Sequence, residues 1–105
     1  MTIKEQQEAF NQFVSLMENT IIKKGNDYAN EDRLSNFKRA GEICGMSPEK
    51  QCLSLIATKV ARLGVLINSK IPNNESVEDS VLDLACYSTL LYMIINEKSK
   101  SERID

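Results

Sequence analysis

Glu75, Asp79, Asp83 and Tyr87, in the stretch ESVEDSVLDLACY, stand four residues apart. On a helix they stack into one ladder. Three carboxylates on one face suit three roles. They can be oxygen ligands for a hard cation such as Mg²⁺, acceptors in an ion-pair network, or a solvated acidic face. The same face continues into Leu90 and Ile94, so it runs from a charged mouth onto an apolar floor. Asp83 stands nearest that floor and most needs a cation or hydrogen bonds if it is desolvated.

The matching cations come earlier, in LSLIATKVARLGVLI. Cys52, Leu55, Ile56, Val60, Leu63, Leu66 and Ile67 share one broad apolar sector at 100° per residue. Lys59 points into the middle of that sector and Arg62 lies at its edge. A lysine is almost never buried alone, so Lys59 must snorkel, pair with a carboxylate, or line a pocket. Lys59 and Arg62 could face Asp79 and Asp83 across two packed helices. That pairing suits a structural network as well as a ligand pocket.

A third group is Lys24, Asp27 and Tyr28 in KKGNDYANEDR, just past a helix end. Turn chemistry alone accounts for Asn, Asp and Gly there, although a loop of this length is often functional. Asn36 and Phe37 read as a cap and a core anchor. The chain has no histidine, so imidazole metal ligands and Ser-His or Cys-His pairs are excluded. SPEK matches an S-x-x-K pattern, but Ser47 and Pro48 are better explained as a helix start.

The elements that carry these residues are helical. Thr2 and Glu5 form a capping box, followed by Phe10, Phe13, Val14, Met17 and Ile21 at helical spacing, with Gly25 as the stop. Residues 26 to 36 read as a polar loop, and a short helix then ends at Gly45. Ser47 and Pro48 open a helix over 48–69. Ser76 caps the last, over 77–97, which is apolar nearly all round in its second half. Such a helix is central or shared with a second chain. The expectation is an all-α bundle of three long helices plus one short helix, oligomeric, with a single domain over 1–97 and a charged, frayed tail over 98–105.

With 105 residues, 42% hydrophobic and 27% charged, one globular domain is expected. A net charge of -2 argues against an extended nucleic-acid surface. No apolar run is long enough for a membrane span, and the N-terminus shows no signal-peptide pattern. Three cysteines without CxxC spacing read as reduced thiols of a cytoplasmic protein.

The ordered set Lys24-x-x-Asp27-Tyr28, Asn36-Phe37, Lys59-x-x-Arg62 and Glu75, Asp79, Asp83, Tyr87 resembles the phage and bacterial nucleotide-modification-associated domain family. The match spans roughly residues 20 to 95. More distantly, the helical layout is similar to the all-α nucleoside triphosphate pyrophosphohydrolases of the MazG type. Those hold Mg²⁺ with acidic motifs on two successive helices, whereas this chain carries Lys59 and Arg62 in the first of those slots. Cations repel Mg²⁺ but bind phosphate directly.

The resemblance implies a nucleotide-related role in a phage-infected host cytoplasm. The expected ligand residues are Lys24, Asp27, Tyr28, Lys59, Arg62, Asp79, Asp83 and Tyr87, with no catalytic residue, metal or cofactor. The ligand is a phosphate-bearing nucleotide, sequestered as an anti-defence measure. Under the enzyme alternative, a nucleotide pyrophosphohydrolase, Glu75, Asp79 and Asp83 would hold Mg²⁺. A third reading is a structural or regulatory oligomer with a buried ion-pair network.

Overall fold

The three long helices each start on a short polar side chain. In the computed structural model, which describes residues 1–23, 32–69 and 76–103, Thr2 Oγ1 accepts from the Glu5 backbone N–H at 3.1 Å and opens α1, Ile3–Glu18. The chain continues from it into a π-helical turn, Asn19–Lys23. Helix α2, Ser35–Cys44, has no side-chain cap. Helix α3, Pro48–Asn68, starts with Ser47 Oγ accepting from Lys50 N–H at 3.2 Å and Pro48 in the first turn. Helix α4, Val77–Arg103, starts with Ser76 Oγ accepting from Asp79 N–H at 3.0 Å. No strand occurs among the described residues, so the fold is all-α.

Helix α2 is held tightly at both ends. Asp32 Oδ1 accepts from Leu34 N–H at 3.1 Å, an Asx turn that feeds the chain into the helix. At the other end Gly45 takes φ 68°, and Met46 N–H reaches Gly41 O at 2.8 Å. This is a Schellman motif. A side chain on Gly41 would meet Met46 O at 2.5 Å, so the motif needs glycine there as well.

Helices α3 and α4 are antiparallel and form the main seam, with Cys52 Sγ donating to Tyr87 O at 3.3 Å. The core gathers Leu34, Cys52 and Ile94, with Phe37, Ile56, Tyr87, Leu90 and Leu91 packed against it. Leu34 belongs to a segment whose sequence reads as a polar loop, yet tertiary packing buries it. Helix α4 also runs past the expected end at 97 to Arg103. There Lys98 Nζ approaches Glu49 Oε2 of α3 at 3.8 Å.

Much of the apolar surface stays open. Helix α1 buries no residue. Met17 lies against Thr89 of α4, but Ile3 and Phe10 are exposed. The apolar sector of α3 is divided: Cys52 is buried and Ile56 and Leu63 half-buried, while Leu53, Val60 and Ile67 are exposed. The radius of gyration is 16.1 Å, against about 13 Å for a compact chain of this length.

Candidate functional site

Lys59 reaches across the α3–α4 seam to Asp83. Its Nζ lies 2.9 Å from Asp83 Oδ2, with the lysine side chain 17% and the carboxylate 38% exposed. The lysine is thus the more deeply desolvated partner. Antiparallel packing puts the two residues level, as the Cys52–Tyr87 contact does one to two turns away. Asp83 supplies the opposite charge that makes the burial of Lys59 tolerable.

The other expected residues are distributed around this pair. Arg62 is one turn further along α3 and exposed, and Asp79 is exposed in the first turn of α4. Tyr87 sits one turn beyond Asp83, half-buried, its ring against the core. The ladder therefore divides: Asp79 meets solvent, Asp83 meets Lys59, and Tyr87 forms the floor. Lys24, Asp27, Tyr28 and Glu75 lie outside the described residues. Among the described residues no group of three or more acidic or cysteine side chains converges as a metal site requires.

Ser80 is a component that the sequence reading missed. It is fully buried, and its hydroxyl has no hydrogen-bond partner. It lies one turn before Asp83 on the same helical face. A buried hydroxyl left unpaired costs about 1–3 kcal/mol. Its three-residue spacing from Asp83 was the available signal, but serine in an amphipathic helix carries little information by type.

The two buried thiols flank the site and are inert. Burial raises the Cys52 thiol pKa above its usual 9.0. Burial raises that of Cys86 as well, and the negative charge of Asp83 adds to it. Both are held as neutral thiols, which are poor nucleophiles and poor metal ligands.

A second charged cluster lies where α2 meets α4. Lys38 Nζ bridges Asp32 and Glu97, the latter at 2.8 Å. The hydrogen bond from Lys38, followed by that from Leu34 N–H, lowers the Asp32 pKa from 3.8. Hydrogen bonds to Asp32 and then Glu97 raise that of Lys38. Beside it runs an open groove of about 460 Å³ lined by Asp32, Ser35, Asn36, Lys38, Arg39 and Glu42. Asn36 thus faces a groove, while its neighbour Phe37 packs on the core.

Comparison of the chain with family models, curated proteins and solved structures finds no match.

Proposed function

We propose that this chain is a small nucleotide-binding protein of phage type. It holds a phosphate-bearing ligand through Lys59 and Arg62 and sequesters it without chemistry, as a homo-oligomer in the host cytoplasm. The observation that carries this reading is Lys59, a lysine only 17% exposed inside an apolar sector, poised against Asp83. Asp83 compensates and orients the ammonium, whose three donor hydrogens can be shared between a carboxylate and a phosphate. Arg62, one turn away, adds a fork suited to phosphate oxygens. Ser80 supplies a hydroxyl with unspent hydrogen-bonding capacity. The family resemblance adds Lys24, Asp27 and Tyr28 to the ligand set, Asp79 borders the mouth of the site, and Tyr28 or Tyr87 would stack on the base. The resemblance to the nucleotide-modification-associated domain family supports the same ligand class. The test is calorimetry against mono-, di-, tri- and cyclic nucleotides, with and without Mg²⁺, after denaturing extraction of any carried-over ligand. Binding that is lost in Lys59→Met supports the proposal, and no binding by ligand-free wild type refutes it.

Two other readings each have an observation behind them. Asp79 and Asp83 are one turn apart on α4, which suits a Mg²⁺-dependent nucleotide pyrophosphohydrolase in which Glu75 completes the ligand set and the metal activates water. Pyrophosphate release abolished by both Asp79→Asn and Asp83→Asn would support it, and release that persists in them would remove its support. The direct 2.9 Å contact also suits a purely structural pair in an oligomer. A folded Lys59→Met protein that keeps its function would favour that reading.

A further inference from the structure

At 100° per residue, Leu53, Ala57, Val60, Gly64 and Ile67 fall on one stripe of α3, and all are exposed. Val77, Val81, Ser88, Tyr92 and Ile95 form a matching exposed stripe on α4. Val60 is 53%, Ile67 65% and Tyr92 68% exposed. Neither stripe contains a charge, in a chain that is 27% charged. A solvated helix face normally carries the charges.

The two stripes look the same way. Cys52 and Lys59 mark the side of α3 that faces α4, and Tyr87 and Asp83 mark the opposing side of α4. Each stripe lies roughly 110–120° round its own helix from those residues, in the same rotational sense. Because the helices are antiparallel, both stripes turn to one side of the pair. Thr89 and Glu97, where α1 and α2 attach, lie round the other way. The result is a two-helix face about 21 Å long, on the flank away from α1 and α2.

We infer that a second copy of this chain docks on this face, hairpin on hairpin, to form a four-helix bundle. The inference rests on the oligomeric part of the proposed function and names its surface. Three observations favour a copy over another occupant. First, the accessible surface is 8135 Å², whereas a compact monomer of this mass exposes about 6,000 Å². The exposed apolar residues of this face contribute to that surplus, as do those of α1. Second, a two-fold contact brings residues near the axis against their own mates, which uncharged residues tolerate. Third, nothing lies within 4 Å of the position a Gly64 side chain would occupy. Packing within the chain gives no reason for a glycine that costs α3 about 1 kcal/mol relative to alanine; close approach of a partner helix does.

Sedimentation equilibrium of the full chain at micromolar concentration tests this. Wild type is expected at twice the chain mass of 11.9 kDa. Val60→Glu and Ile67→Glu are expected at the monomer mass with unchanged helicity by circular dichroism. The milder Ile67→Ser gives the same direction should a glutamate disturb folding. Val65→Glu, exposed on α3 but off the stripe, is expected to stay dimeric. A monomeric wild type overturns the inference. So do dimers that persist in both glutamate variants, a result that points to another face and leaves the oligomeric reading standing. Equal dissociation by Val65→Glu overturns it too, as does adsorption of wild-type monomer to phosphatidylcholine vesicles through this face. Nucleotide calorimetry on the same samples reads the ligand proposal separately, since Lys59→Met changes binding and not mass.

Discussion

Removing the two halves of the Lys59–Asp83 pair should have unequal costs. In Lys59→Met the ammonium is replaced by an apolar chain of similar length. Asp83 loses its partner but, at 38% exposure, retains contact with water. The lost pairing is worth about 1 kcal/mol, as for pairs that solvent reaches. Burying the methionine end in the apolar sector returns about 1 kcal/mol. The net change is therefore within about 1 kcal/mol of zero. In Asp83→Ala the ammonium remains, its side chain 17% exposed, and loses the carboxylate that lies 2.9 Å from it. The cost lies between that of exposed and fully buried pairs, about 2–3 kcal/mol. For a chain of this size that lowers Tm by roughly 10 °C. The assay is urea unfolding followed by circular dichroism at 222 nm, since the chain has no tryptophan. Protein concentration is held fixed, because association would shift the midpoint. A Lys59→Met variant that loses as much stability as Asp83→Ala would refute the assignment of Lys59 as the desolvated partner.

Gly45→Ala should cost about 1–2 kcal/mol, because φ is 68° there and a Cβ strains that conformation; urea midpoints measure it. Of the three thiols, exposed Cys44 should react with iodoacetamide in the native protein, while buried Cys52 and Cys86 react only on unfolding; mass spectrometry of the adducts would decide. The raised pKa values of Cys52 and Cys86 contribute stability that is fully present below the unfolded thiol pKa near 9. It is lost as pH rises through the folded values, so Cys86→Ala should flatten the alkaline fall in Tm. The lowered Asp32 pKa works in the opposite direction. Its contribution is present above the unfolded carboxyl pKa and lost as pH falls through the folded one. Lys38→Gln should therefore move the Asp32 titration, followed by NMR, back toward 3.8.

The parts of this molecule legible in the sequence are those governed by local chemistry. Thr2, Ser47 and Ser76 cap the helices expected of them, because a cap needs only its own first turn. Gly45 stops α2 for an equally local reason. Lys59 was legible because it contradicts its surroundings, and such a contradiction demands a partner. Asp83 stood at the matching level on the only acidic ladder. The remaining features depend on distant contacts. Leu34 is buried by packing that no polar-looking segment announces. Lys38 finds Glu97 across most of the chain length. Ser80 is a serine like others in this sequence until tertiary packing buries it.

The apolar sector of α3 explains why core residues were only half legible. Periodicity places Cys52, Ile56, Val60, Leu63 and Ile67 together, and a sector that wide reads as core. One neighbouring helix covers only part of it. Helix α4 takes the side with Cys52 and Lys59 and leaves Val60 and Ile67 exposed. Helix α4 has the same excess at Val81 and Ile95. The pattern therefore encodes two neighbours for each helix, while α1 and α2 attach on the opposite flank. If a second copy supplies the missing neighbour, the periodic pattern describes the assembled bundle. The division of labour then follows: the outward flank of α3 and α4 is apolar and uncharged for assembly, while the seam holding Lys59 and Asp83, bordered by Arg62 and Asp79, serves the proposed ligand. Substitutions on the outward stripes should leave ligand binding unchanged, and Lys59→Met should leave assembly unchanged, because the two sets lie on different sides of their helices.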